Sequence, residues 1–287
     1  EPVYLRTGDD LVFAPRAGMP VTVTVPVLAA DVGPTADRVV GLAPAGTTVT
    51  VTLVDDVSPE VHLQETVVAD GDGRLEAFAS SGIALRVGHH GAATITTAEG
   101  HRFTARFAAF QADLTLDSSS VRGRATSGTR VEVAVRRGGA DAQRDGTDVV
   151  GGVNWSIPGA DAARESLLEP IAAGDLVTLS RSSTVAAVPP ALAFTVPDLA
   201  VVAEDLGDSV TGRGLPDTTL SLVLTSPTGA EVRVDVRTDA DGRFRIDLTA
   251  TVDIGPGWTV AVTWEVAPGV WVRARDTVTQ ARVWVHE

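Results

Sequence analysis

Residues 40–53, 121–135 and 210–224 share one pattern of strand, turn and strand. In each copy a Val-x-Gly sequence precedes the turn, and the residues after the turn alternate between apolar and polar. A turn glycine followed by another strand closes each copy, and the pattern recurs every 82 to 89 residues. Internal similarity at such a period is typical of a tandem array in which every repeat has the same fold.

The alternation predicts strands that bury one face. Val49, Val51 and Leu53 are separated by threonines, which is the two-residue period of a strand and excludes a helix there. Residues 232–236 and 244–248 have the same period and flank an Asp-Ala-Asp-Gly turn, which predicts a hairpin.

A repeat of this length, with about seven short strands, favours an antiparallel β-sandwich over a propeller blade or a single large barrel. We therefore predict an all-β protein of three tandem immunoglobulin-like antiparallel β-sandwiches, with an extra β-hairpin before them. The predicted sandwiches are residues 31–112, 113–199 and 200–287, and the hairpin lies within residues 1–30. Residues 160–168 are the one candidate for a short helix.

Residues 1–30 resemble the last two strands of a unit, because the Gly8 turn precedes the next unit by the usual interval. One strand of this element carries an apolar face that needs a sheet to join. The face is formed by Val21, Val23, Val25 and Val27. Three interpretations remain open: a fragment of a longer array, a hairpin packed on the first sandwich, or strand addition to a neighbouring molecule.

The other end of the sequence is also an apolar strand, which includes Val283 and Val285. Strands at both ends favour a polymer linked end to end, with self-association through these valines. This is the leading hypothesis for assembly.

Charge and composition exclude several classes of function. The chain has 23 basic and 37 acidic side chains and a formal net charge of -14, so its field repels nucleic acid and anionic membrane surfaces. It contains no cysteine, and therefore no disulfide and no thiolate metal site. No apolar run approaches the ~20 residues of a membrane span.

Two acidic turns are candidate calcium sites, because carboxylates at alternate positions around a glycine turn can converge on a hard cation. The candidate ligands are Asp70 and Asp72 in one turn, and Asp239 and Asp241 in the other. The second repeat lacks this motif, and neither loop has the distal glutamate of an EF-hand. Plain hairpin turns, with no cofactor, are the alternative.

Four of the five tryptophans lie in the last 30 residues. They are Trp258, Trp264, Trp271 and Trp284. Trp258 and Trp264 are expected to share the face of Val260 and Val262. These rings either fill a core or form an aromatic platform for a glycan or a partner subunit.

No motif predicts catalysis. His89 and His90 are the only adjacent pair among five histidines, and they are expected to be solvated loop residues. A nucleophile elbow, a paired-histidine zinc motif and a phosphate-binding glycine loop are all missing from the sequence. We therefore predict that the chain is not an enzyme.

The order Val-x-Gly, Gly-Thr-x-Val-x-Val, Ala-Asp-x-Asp-Gly-Arg and Gly-Asp-Leu-Val resembles bacterial immunoglobulin-like repeats of surface proteins. The resemblance spans nearly the whole chain, and it implies an extracellular or cell-surface protein. It implies a structural subunit of a filament, appendage or surface layer. The alternative is a stalk, adhesin or glycan-binding segment of a larger surface protein.

Overall fold

A computed structural model describes residues 7–14, 19–32, 38–55, 61–78, 85–86, 88–139, 143–150, 152–157, 169–182, 191–204 and 208–278. Every regular element within these ranges is a β-strand, which confirms the all-β prediction. The predicted helix at 160–168 and the strand with Val283 and Val285 lie outside them.

The first strands form an N-terminal hairpin and a group that we call unit 1. The hairpin consists of β1 (Asp10–Phe13) and β2 (Val21–Thr24). Unit 1 consists of β3 (Ala29–Val32), β4 (Val39–Leu42), β5 (Thr48–Val54), β6 (Val61–Val68), β7 (Arg74–Ala77), β8 (His90–Thr96) and β9 (Arg102–Ala108).

Two further groups of seven strands follow. Unit 2 consists of β10 (Gln111–Thr115), β11 (Val121–Arg124), β12 (Arg130–Arg136), β13 (Gln143–Asp148), β14 (Asn154–Ile157), β15 (Leu176–Arg181) and β16 (Leu192–Thr195). Unit 3 consists of β17 (Ala200–Glu204), β18 (Ser209–Arg213), β19 (Thr219–Thr225), β20 (Glu231–Arg237), β21 (Arg243–Asp247), β22 (Thr259–Ala267) and β23 (Val270–Thr277). The predicted boundaries at 30/31 and 112/113 fall inside β3 and β10.

The strands follow one order in all three units. The first, second and fifth strands form one antiparallel sheet, and the other four form a second antiparallel sheet. In unit 1 the two sheets are β3-β4-β7 and β6-β5-β8-β9. Their alternating apolar residues share one core, in which Val51, Leu53 and Phe107 are fully buried.

Units 2 and 3 are joined by a parallel pairing. β10 of unit 2 lies beside β23 of unit 3, with Ala112 opposite Val270 and Thr115 opposite Arg273. The result is one seven-stranded sheet in the order β14-β11-β10-β23-β22-β19-β20. A single hydrophobic core runs through both units, whereas unit 1 has a separate core.

The glycine of the repeated Val-x-Gly sequence lies where two strands approach closely. A Cβ atom at Gly41 would lie 2.4 Å from the carbonyl oxygen of Ala29 in the first strand of unit 1. The corresponding distance is 1.8 Å for Gly123 and 2.3 Å for Gly212. The motif therefore marks a position at which a side chain does not fit.

The predicted hairpin around residues 239–242 is wrong. β20 pairs with β19 and β21 pairs with β18, so the turn carries the chain from one sheet to the other. Its backbone is bonded to a neighbouring loop, since Gly214 N donates to Gly242 O at 2.8 Å. The turn between β6 and β7 also connects two different sheets.

Candidate functional site

The junction between units 1 and 2 contains a buried ion pair. Asp31 lies on the first strand of unit 1 and is fully buried. Its Oδ1 atom lies 3.5 Å from Nη1 of Arg181, at the end of β15 in unit 2. Only 9% of the Arg181 side chain is exposed. A buried charge needs a partner, and each of these charges finds one in the neighbouring unit.

Thr126 of unit 2 completes this junction. Its hydroxyl donates a hydrogen bond to Oδ1 of Asp31, and the backbone N–H of Ala108 in unit 1 donates to the hydroxyl at 3.3 Å. A backbone bond from Ser127 N to Arg106 O, 3.2 Å long, adds a further link between the units. The hydroxyl of Thr126 therefore finds these hydrogen-bond partners only when the two units are docked.

An aromatic pair covers the guanidinium group of Arg181. Phe110, between β9 and β10, has its ring centroid 5.7 Å from Cζ of Arg181. The ring stacks on Trp155 at a centroid distance of 6.2 Å. Cation–π contact and apolar cover keep water away from the ion pair and strengthen it.

The junction between units 2 and 3 has an ion pair at the same strand position. Asp113 on β10 corresponds to Asp31 on β3, and both follow an alanine. Its carboxylate lies 2.8 Å from Nε of Arg273 on β23 and 3.9 Å from Nε of Arg122. Burial lowers the pKa of Arg273 from its usual range, while the charge of Asp113 opposes that shift. Unit 3 has Val202 at this strand position.

Neither ion pair was predicted from the sequence. A signal was present, because Ala30-Asp31 and Ala112-Asp113 place a carboxylate inside two otherwise apolar strands. Their arginine partners lie far along the chain, and no local pattern distinguishes them.

The N-terminal hairpin has the geometry of the last two strands of a unit. Gly8 N donates to Val25 O at 2.9 Å, and Gly174 N donates to Val196 O at the same distance in unit 2. The predicted strand that carries Val21, Val23, Val25 and Val27 is shorter than expected, because β2 ends at Thr24.

Apolar side chains of this hairpin are partly in solvent. Val21 is 51% and Val27 44% exposed, while Val23 and Val25 are partly buried. Phe13, the cross-strand partner of Val21, stacks on His101 of unit 1 at 6.2 Å. The contact connects the hairpin to unit 1 but leaves Phe13 53% exposed.

The acidic turns use one carboxylate to hold the backbone. Asp70 Oδ1 accepts hydrogen bonds from the N–H groups of Asp72 and Arg74, at 2.9 and 2.8 Å. Asp239 makes the same two bonds to Asp241 and Arg243. In the described ranges, no three histidine or acidic side chains cluster in a way that could hold a metal ion. Turn formation thus accounts for the motif.

The three predicted platform tryptophans that the structure describes do not share one face. Trp258 and Trp264 are partly buried and pack against the core, whereas Trp271 lies on the outer surface of the sheet. Trp284 is outside the described residues. The remaining tryptophan, Trp155, is buried.

The expectation of solvated histidines is wrong for His89. This side chain is 6% exposed, and its Nε2 lies 3.5 Å from Oδ2 of Asp55. The N–H of Arg86 donates to Nδ1 of His89 at 3.1 Å, so the ring proton is on Nε2, toward the carboxylate. His89 fills the turn position that Asp175 occupies in unit 2. This is a structural contact inside unit 1.

No apolar helix long enough to cross a bilayer occurs in the ranges that the structure describes.

No family model matches the chain, and neither does any curated protein. Solved structures do match. A tetra-tandem repeat from the extending region of a large adhesion protein is 16% identical, with 95% of this chain and 81% of that chain covered and a TM-score of 0.23. A structure on host cell surface retention of a 1.5-MDa bacterial ice-binding adhesin is 14% identical, with 89% and 98% covered and a TM-score of 0.22. The BSP domain of a biofilm-associated protein is 10% identical, with 90% and 67% covered and a TM-score of 0.24. TM-scores of this size transfer neither a fold nor a function to this chain.

Proposed function

We propose that this chain is a structural segment of an extracellular bacterial assembly, in which three tandem immunoglobulin-like β-sandwiches are held rigidly by ion pairs at their junctions and by the sheet that units 2 and 3 share. The sandwiches begin at Ala29, Gln111 and Ala200, where the first strand of each unit begins. The observation that carries the proposal is the pair between Asp31 and Arg181, because it gives two separate cores a fixed orientation.

The junctions favour a structural role over a catalytic one. Unit 2 shares a sheet and a core with unit 3. It also forms a buried ion pair with unit 1. An array that holds its units apart at fixed angles needs such contacts, because flexible linkers leave neighbouring domains free to move.

A test of rigidity uses the absence of cysteine in the chain. Asp72→Cys introduces one exposed thiol in unit 1, to which a lanthanide tag is attached. Residual dipolar couplings measured in units 1 and 2 are expected to fit a single alignment tensor. Much smaller couplings in unit 2 would mean that the two units tumble independently, and would overturn the rigid array.

The extracellular assembly is tested on the native source cells. An antibody raised against the chain is expected to label intact, non-permeabilised cells. Electron microscopy of the native material then distinguishes the kind of assembly: filaments with a regular axial repeat support a polymer, while dispersed beaded rods support a stalk or adhesin segment. Labelling only after permeabilisation contradicts the proposal.

A second function, assembly by strand addition, is favoured by the exposed apolar face of the N-terminal hairpin. Leu11 and Val23 pair across the hairpin as Val177 and Phe194 pair across the last two strands of unit 2, where both side chains are buried. A face with core residues is completed when a neighbouring molecule supplies a sheet.

Sedimentation velocity tests this second function. The chain is expected to self-associate as its concentration rises, and Val21→Thr is expected to weaken the association. Val202→Thr is the matched control, because Val202 is also 51% exposed but lies in unit 3. A monomer at all concentrations, or equal effects of the two variants, contradicts strand addition through the hairpin.

A further inference from the structure

The outer face of the larger sheet of unit 3 forms a groove. Strands β19 and β22 form the floor, and β20 and β23 form the two walls. Small side chains face each other across the floor: Ser221 and Thr263, Val223 and Ala261, Thr225 and Thr259. The groove has a volume of about 750 Å³, which is within the range of about 300–1,000 Å³ of ligand sites.

Long side chains rise from the walls beside these small residues. Arg233 on β20 is the cross-strand partner of Val223, and Arg275 on β23 is the partner of Ala261. Adjacent strands lie about 4.8 Å apart, so the two walls are separated by about 14 Å at the backbone. This width accommodates an extended chain that lies along the floor.

Trp271 lines one wall of the groove and pairs across the strands with Glu265. A β-bulge between Glu265 and Ala267 lies beside this pair, and bulges commonly redirect side chains next to binding sites. An indole ring offers a flat apolar face together with a polar N–H, which matches a sugar ring with its C–H face and hydroxyl edge.

We propose that this groove binds an extended, uncharged glycan chain. The floor provides hydroxyl groups, and Trp271 provides a surface for stacking. The charged lining residues nearly cancel: the arginines are Arg233, Arg273 and Arg275, and the acids are Glu231, Asp235, Glu265 and Asp276. With a net charge of -14, the chain also repels a polyanion at long range.

Charged groups in the groove are available as hydrogen-bond partners for hydroxyl groups. Arg233 and Glu231 are paired at 2.8 Å, and 72% and 45% of their side chains are exposed. A sugar hydroxyl both donates and accepts, so it bonds to either member of such a pair, and hydrogen bonds to charged groups are the stronger kind.

Unit 2 provides an internal comparison. The same face of its larger sheet has a groove of about 580 Å³, and none of the described residues that line it is aromatic. Ala134 lies on the floor of this groove, as Ala261 does in unit 3. The glycan is therefore assigned to unit 3 alone, and its binding does not depend on rigid junctions or on self-association.

The full chain is tested by affinity electrophoresis in gels that contain a mixed-linkage β-glucan, a galactomannan or dextran, with polygalacturonate as the charged polymer. At least one neutral polymer is expected to retard the chain and to shift its tryptophan fluorescence. Trp271→Ala is expected to weaken binding by about tenfold or more, because a stacking surface is lost. Ala261→Arg fills the groove and is expected to abolish binding, while the matched Ala134→Arg leaves it unchanged.

Each contrary outcome overturns a part of the proposal. If no neutral polymer retards the chain, the groove is not a glycan site for this class of polymer. Retardation that Ala261→Arg and Ala134→Arg affect equally places binding elsewhere. Retardation by polygalacturonate alone, lost at high salt, replaces the uncharged ligand by an anionic one. Circular dichroism of all variants verifies that the sheets have formed.

Discussion

The buried carboxylate of Asp31 in unit 1 lies 3.5 Å from the guanidinium group of Arg181 in unit 2. Only 9% of the Arg181 side chain and none of the Asp31 side chain is exposed to solvent. Separating the units therefore requires both charges to be rehydrated, and removing only one charge leaves the other buried and uncompensated. The ion pair therefore contributes more to the fixed docking of the two units than to the stability of either unit alone.

Asp31→Ala is expected to lower the free energy of unfolding by about 3 to 5 kcal/mol, because Arg181 then remains buried without its counter-charge. Urea denaturation monitored by tryptophan fluorescence measures the loss. Asp198→Ala is the matched control: Asp198 pairs with Arg213 at 3.0 Å, but both side chains are more than half exposed. Exposed pairs of this kind contribute about 0 to 1 kcal/mol. Equal losses in the two variants would contradict the role of burial.

Gly212→Ala is expected to destabilise unit 3 by about 1 to 3 kcal/mol through overpacking. The new Cβ atom would lie 2.3 Å from the carbonyl oxygen of Ala200 and 2.3 Å from Cζ of Phe244. Gly255→Ala is the control in the same unit, since a Cβ atom there meets nothing within 4 Å. Thermal unfolding of both variants checks this prediction, and a melting temperature for Gly212→Ala that equals the wild type would contradict it.

An alternation of apolar and polar residues predicted strands with one buried face. Val49, Val51 and Leu53 alternate with threonines, and all three are fully buried. It did not specify the sheet to which a strand belongs: the turn before Arg243 has the composition of a hairpin, yet it connects two sheets. Strand pairing depends on contacts between residues that are distant along the chain, and a local pattern contains no information on them.

The same limit explains why the junctions were missed. A carboxylate inside an apolar strand, as at Asp31 and Asp113, is visible in the sequence. Its partner is one of 23 basic residues, and only the docking of the units identifies Arg181 and Arg273. The ion pairs and the groove of unit 3 are properties of the assembled sheets.

Asp70→Ala is expected to lower the free energy of unfolding by about 1 kcal/mol, because two backbone N–H groups lose their acceptor. Asp72→Ala removes the other candidate calcium ligand, and it is expected to have little effect, because the hydrogen bonds that shape the turn use the carboxylate of Asp70. Addition of calcium is expected to leave the unfolding temperature of the wild type unchanged. A rise with calcium that both variants lose would show instead that the turn holds the ion.

The carboxylate of Asp175 connects two segments of unit 2. Arg137 donates to its two oxygens from Nε and Nη2, each at 2.8 Å, and the N–H of Ala172 donates at 2.8 Å. These bonds, above all those from Arg137, lower the pKa of Asp175 from its ordinary value of 3.8, although burial opposes the shift. The charged form is therefore favoured in the folded state.

Because the folded pKa of Asp175 lies below the unfolded one, the group contributes stability above pH 3.8, and that contribution is lost as the pH falls through the folded value. Urea unfolding between about pH 6 and about pH 2 is expected to show this decrease, and Asp175→Asn is expected to make the profile flatter and the protein less stable at the upper end. Asp247→Asn is the control: hydrogen bonds from Thr249 lower the pKa of Asp247 as well, but this side chain is exposed, so solvent weakens its contribution. A profile for Asp175→Asn that runs parallel to that of the wild type would mean that Asp175 does not link folding to the pH.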